Sequence, residues 1–135
     1  MNKNTFCSAA WFQVRNGHSD GNYRVCCEIQ PSESEFSGER FLKWPDKTPK
    51  DFFNSEYTQY IRKKLNDGER IPECYRCWKK EDTGGKSLRQ TLNDTVTNNQ
   101  GHDLDNTWLK NYFKNKKNFV SDILISADTK ISNLC

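Results

Sequence analysis

Long apolar runs are missing from this chain. Nowhere do about 18 consecutive apolar residues occur, the length that reads as a membrane helix, and the polar start at residues 1–5 leads into no apolar stretch of signal-peptide length. These absences predict a soluble, cytoplasmic protein with no membrane partner. Hydrophobic residues are few, 33% of 135, and the mean hydropathy is −1.01, so a purely apolar core is expected to be small for the length. Charge of one sign is lacking too. The 21 basic and 18 acidic residues leave a net charge of +3, too near balance to announce nucleic acid. Only two histidines occur, His18 and His102, and neither has a cysteine at ligand spacing. Asp103 and Asp105 lack the glycine and distal glutamate of a calcium loop. A Gly-rich phosphate loop and a Ser-His-Asp arrangement are likewise without the strand–helix context they need.

Cysteine is the residue that is present in force, with Cys7, Cys26, Cys27, Cys74, Cys77 and Cys135. The length allows one domain. A bound metal centre is one way for a small polar domain to make up for limited burial, because binding free energy becomes folding free energy. In a reducing compartment, cysteines clustered by motif read as metal ligands or redox groups rather than disulfides. A cysteine before a hairpin, a second on it, and a later C-x-x-C can supply four converging sulfurs. Thiolate sites of this kind suit zinc and iron–sulfur clusters about equally. The wide first pair fits the two short knuckles of structural zinc less well.

Residues 11–15 and 23–29 are aromatic or β-branched runs separated by Asn16-Gly17 and Asp20-Gly21, which predicts a β-hairpin. On its second strand, Cys26 and Cys27 would point to opposite faces, so only one of them faces a given site. Residues 31–49 read as a surface loop pinned by Trp44. Residues 51–67 read as a single helix with Asp51 as N-cap and Gly68 as its stop. A helix also begins near Ser87, with Gln90 in capping-box position and Leu88 and Leu92 facing inward. A short basic helix is expected over residues 108–117 and a strand over residues 122–126. Trp11, Trp44 and Trp78 read as plain core, whereas Arg62, Lys63, Lys64, Arg89 and the basic residues of 110–117 read as solvated helix faces.

Cys7, the string Gly21-Asn22-Tyr23-Arg24-Val25-Cys26 and the later Cys74-Tyr75-Arg76-Cys77 together resemble the twitch version of the SPASM auxiliary domain of radical SAM enzymes. Phe6-Cys7-Ser8-Ala9-Ala10-Trp11, Asn54-Ser55-Glu56-Tyr57, Ile61 to Gly68, Cys77-Trp78-Lys79-Lys80-Glu81 and Gly85 to Gln90 also look like strings of twitch-containing proteins. The resemblance covers roughly residues 6–93 and rests on several motifs in a fixed order.

It implies an α+β fold: a small twitch/SPASM-like domain with a β-hairpin and two or three helices around a metal cluster. It also implies that Cys7, Cys26, Cys74 and Cys77 ligate one auxiliary [4Fe–4S] cluster with an electron-transfer or bracing role. Cys27 is surplus to the pattern, and the backbone amides around Arg76 and Trp78 are the expected hydrogen-bond donors to the sulfurs. Ile131-Ser132-Asn133-Leu134-Cys135 looks like the approach to the radical SAM cysteine motif, with Cys135 as its first cysteine. On that reading residues 1–94 are the auxiliary domain, 95–121 a connector, and 122–135 the start of a core missing from this chain. S-adenosyl-L-methionine and a second [4Fe–4S] cluster would belong to that core, and the fragment alone would not be catalytically competent. Peptide, sugar and nucleotide substrates all stay open. The rival reading is a zinc-stabilised protein- or peptide-binding module.

Overall fold

The computed structural model describes residues 4–16 and 19–97. Over them the fold is mostly helical. Helix α1 spans Ala9–Phe12, α2 Pro49–Phe53, α3 Glu56–Asn66, α4 Tyr75–Asp82 and α5 Leu88–Thr97, with 3₁₀ turns at Pro31–Glu33 and Pro72–Cys74. His18, His102, the helix expected over 108–117, the strand expected over 122–126 and Cys135 lie outside the described residues.

The expected hairpin is reduced to a chain reversal. Arg15 and Arg24 exchange both backbone hydrogen bonds (2.7 and 2.8 Å) as an isolated antiparallel bridge, and Gly21 supplies the positive φ (74°) for the return. A second isolated bridge joins Asn22 to Lys43, and no β-sheet forms among the described residues. The physical reason lies at residues 9–12. Ala9, Ala10, Trp11 and Phe12 are all buried, whereas a strand would turn Trp11 and Phe12 to opposite faces. A single helical turn keeps all four inside. Cys26 and Cys27 sit in a bend and turn, not on a strand, so alternation does not separate them. Cys26 is buried and Cys27 half-buried.

The helix expected over 51–67 is two helices. Thr48 caps α2, and Asp51, expected as the N-cap, sits at N3 and completes a capping box with it. Ser55 then caps α3 by accepting from the Thr58 N–H, which starts a second helix. Gly68, at φ 91°, ends α3 as expected. The capping box of α5 is also as expected, with Ser87 N–H donating to Gln90 Oε1 (3.1 Å) and Gln90 N–H to Ser87 Oγ (3.2 Å).

These elements close on one aromatic core that includes Trp11, Phe12, Tyr23, Phe52, Phe53, Tyr57, Ile61, Trp78 and Leu92. Trp44 is outside it, 61% exposed. The 31–49 loop is held instead by Leu42, by the Phe36 ring tilted against Tyr57 and Tyr60, and by Arg40 Nε donating to the Pro31 carbonyl (2.7 Å). Two arginines expected on solvated faces turn inward. Arg62 donates to the carbonyls of Ala10 (2.7 Å) and Phe53 (2.8 Å) and lies over the Trp11 and Phe53 rings. Arg89 is buried. Lys63 and Lys64 do face water, pairing with Asp67 and Glu69. No described helix is long and apolar enough to cross a membrane.

Candidate metal centre

Three stretches of the chain bring the four cysteines to the core, Cys7 and Cys26 singly and Cys74 with Cys77 together. Cys7 lies on the extended segment before α1. Its neighbours are clamped by one side chain, because Asn93 of α5 donates to the Phe6 carbonyl (2.9 Å) and accepts from the Ser8 N–H (2.8 Å). Thr5 Oγ1 anchors the same segment to the Leu65 carbonyl at the end of α3. Cys26 is held in its bend by Gln13 Nε2 donating to the Val25 carbonyl (3.0 Å) and by Arg24 Nη1 donating to that of Ile29 (3.1 Å).

Cys74 ends the Pro72–Cys74 turn, and Cys77 lies in the first turn of α4. The C-x-x-C is thus a 3₁₀ turn running into a helix rather than a tight loop. Gln30 N–H donates to the Glu73 carbonyl (2.8 Å), which ties the Cys26 segment to the Cys74 turn. Glu73 itself is fully buried. Tyr57 O–H donates to its Oε2 (2.9 Å), and Oε1 has no hydrogen-bond partner among the described residues.

All four are free thiols; Cys7, Cys26 and Cys77 are buried and Cys74 is half-buried. Burial pushes the Cys7 thiol up to about 12. It also raises Cys26, Cys74 and Cys77. The sulfurs act on one another as well. Negative charge on Cys77 raises Cys7, charge on Cys7 and Cys77 raises Cys26, and charge on Cys26, Cys7 and Cys77 raises Cys74. The sequence-derived set is therefore one electrostatically connected group.

Hydrogen bonds from the protein oppose this at three of the four. The backbones of Ala9 and Ala10 serve Cys7, those of Glu28 and Ile29 serve Cys26, and the Arg89 backbone and Ser87 side chain serve Cys77. At Cys74 the leading influences all raise the thiol, the last of them the charge of Glu73. The leading donors do not include the amides around Arg76 and Trp78 that the sequence suggested. They come from residues just downstream of Cys7 and Cys26 and from the start of α5.

Among the described residues no group of three or more His, Cys, Asp or Glu converges closely enough to hold one metal ion. Away from the cysteines, an open polar groove of about 500 Å³ has a lining that includes Glu39, Asp46, Lys50 and Glu56 and no cysteine.

Sequence reasoning did not find Glu81, Asn93 or the inward course of Arg89. Glu81 and Arg89 form a buried pair beside Cys77, with Arg89 Nη2 and Nε donating to the two Glu81 oxygens (2.6 and 2.9 Å). The one available signal was the Ser87–Gln90 capping box, which fixes where α5 begins. Comparison with protein-family models, curated proteins and solved structures finds no match to this chain.

Proposed function

We propose that the chain is an iron–sulfur auxiliary domain in which Cys7, Cys26, Cys74 and Cys77 hold one [4Fe–4S] cluster beside a radical SAM catalytic core. One observation supports this reading: four free cysteines from three stretches of the chain pack on one core as an electrostatically linked group, and three of them receive hydrogen bonds that favour thiolate. Such donors aimed at sulfur stabilise a ligating thiolate.

The group, when bound, supplies one-electron redox chemistry. The chain's own part is to orient four sulfurs, to exclude water with Trp11, Phe12 and Trp78, and to fix Cys7 through Asn93. With four ligands assigned, the role is electron transfer or bracing of the fold. The substrate of the core is open, peptides included. A second reading, four protonated thiols serving only as packing, is favoured by their raised pKa values and by the lack of a single-ion site.

Anaerobic reconstitution with iron and sulfide separates the two. The cluster reading expects a brown protein with broad visible absorption that is lost in Cys7→Ser, Cys26→Ser and Cys77→Ser variants. A colourless protein after reconstitution, or one equivalent of zinc in its place, would overturn it.

A further inference from the structure

Helix α5 is fastened to the core in a different way from α3. Helix α3 buries Tyr57, Ile61 and Leu65, an apolar face that meets water only when the core opens. Over residues 88–95 of α5 the buried apolar side chain is Leu92, with Leu88 partly buried. The other attachments of α5 are polar. Arg89 donates from Nε and Nη2 to the two Glu81 carboxylate oxygens (2.9 and 2.6 Å) and from Nη1 to the Phe6 carbonyl (2.7 Å). Asn93 holds the chain on both sides of Cys7, donating to the Phe6 carbonyl (2.9 Å) and accepting from the Ser8 N–H (2.8 Å). Ser87, where the helix begins, donates from its O–H to Glu81 Oε2 (2.6 Å) and lies in hydrogen-bond contact with Cys77. One helix thus covers the segment of Cys7 and the first turn of Cys77.

The kind of attachment sets how readily the helix lifts. Desolvating a buried ion pair offsets most of its attraction, and hydrogen bonds broken on opening are largely regained with water. Apolar burial is the contribution that water does not return, and α5 has less of it than α3. Segments with few buried apolar contacts open locally, at a lower free energy than global unfolding. The link from α4 turns at Gly84 (φ 86°), so α5 can leave its seat without unwinding α4. We propose that α5 is a latched strap over the cysteine group: it opens as a unit while the rest of the core stays folded, and its opening admits reagents from solvent to Cys7 and Cys77 together. This holds whether the thiols take a cluster or stay protonated. Cys7, Cys26 and Cys77 are nearly equal in the folded structure, 9%, 8% and 8% exposed, so a difference in how they become reactive reports opening rather than static exposure.

The test is timed alkylation of the full, metal-free chain with iodoacetamide, read cysteine by cysteine by mass spectrometry over a series of low urea concentrations. Labelling of Cys7 and Cys77 should share one shallow urea dependence, because little surface is exposed when a single helix lifts. Cys26 should follow the steep dependence of global unfolding. Two variants separate the routes. Asn93→Ala removes both hydrogen bonds around Cys7 and should speed Cys7 and Cys77 alike by about tenfold, although Ser87 and Arg89 are untouched. Tyr57→Phe breaks a contact that the open strap keeps, so it should speed Cys26 and leave Cys7 and Cys77 as they were. One steep urea dependence for all three cysteines, or all three speeded by Tyr57→Phe, would show that α5 leaves only with the whole fold and would overturn the proposal. So would Asn93→Ala speeding Cys7 without Cys77, since the helix would not then move as a unit. Should either variant fail to fold, the urea series on the parent protein decides.

Discussion

Arg62→Met tests how the cysteine-bearing start of the chain is fastened to the scaffold. The guanidinium donates from Nε to the Ala10 carbonyl (2.7 Å) and from Nη2 to the Phe53 carbonyl (2.8 Å), and lies 4.3 Å from the Phe53 centroid and 5.0 Å from that of Trp11. Methionine keeps much of the stem and its apolar contact. It removes both charge-assisted hydrogen bonds and leaves two carbonyls of well-buried residues without that donor. Hydrogen bonds to charged groups contribute about 1.5–3 kcal/mol each, and cation–π contact about 0.5–1 kcal/mol more where partly exposed. A loss of about 3–5 kcal/mol follows once the gains of burying a thioether are set against it. At about 4–8 °C per kcal/mol for a domain of this size, the melting temperature falls by roughly 12–40 °C.

The effect should reach the cysteine group, because Ala10 is one of the two residues whose backbone serves Cys7. Urea unfolding followed by the fluorescence of the buried Trp11 and Trp78 reads the stability, and iron uptake reads the site. Arg62→Lys, which keeps the charge but cannot fork to two carbonyls, should fall between parent and Arg62→Met. A loss under about 1 kcal/mol in Arg62→Met would refute the reasoning, since it lies below one charge-assisted hydrogen bond.

Metal-free protein should lose stability at alkaline pH. The folded state holds the thiol protons of Cys7, Cys26, Cys74 and Cys77 more tightly than the unfolded chain, so their stabilisation is complete below the unfolded value of 9.0 and disappears as pH rises toward the folded values, about 12 for Cys7. Each buried thiol contributes a slope of up to about 1.4 kcal/mol per pH unit, so urea midpoints should fall between pH 8.5 and about 10.5; iron-loaded protein should lack this fall, and equal slopes in both forms would contradict it. Tyr57→Phe removes the hydroxyl that donates to Glu73 Oε2 and should cost about 1–3 kcal/mol. An unchanged urea midpoint would mean that Glu73 is satisfied some other way. Thr48→Ala breaks the α2 capping box and should cost about 0.5–2 kcal/mol by thermal unfolding; no loss would show that α2 is held by Phe52 and Phe53 alone.

Signals that are local in sequence were legible. Gly68 ends a helix, Ser87 and Gln90 open one, and Leu92 faces inward, because caps and periodicity act over a few residues. The four cysteines singled out in the sequence are all free thiols, three of them buried and Cys74 half-buried. The hairpin was not, because alternation of residue type is a poor guide where every residue of 9–12 is buried. Arg62 and Arg89 were misread for a similar reason. Each sits on a helix with polar neighbours, and only tertiary packing shows that its partners are carbonyls 52 and 83 residues away. The donors to the sulfurs were missed because backbone amides carry no sequence label.

Metal analysis of the full chain, expressed with iron available and purified without oxygen, tests the central claim most directly. The cluster assignment predicts about four irons and four sulfides per chain, with the iron lost from a Cys7→Ser, Cys26→Ser or Cys77→Ser variant. Stoichiometric zinc without sulfide, or no metal and four thiols that react with a thiol reagent only on unfolding, would contradict it.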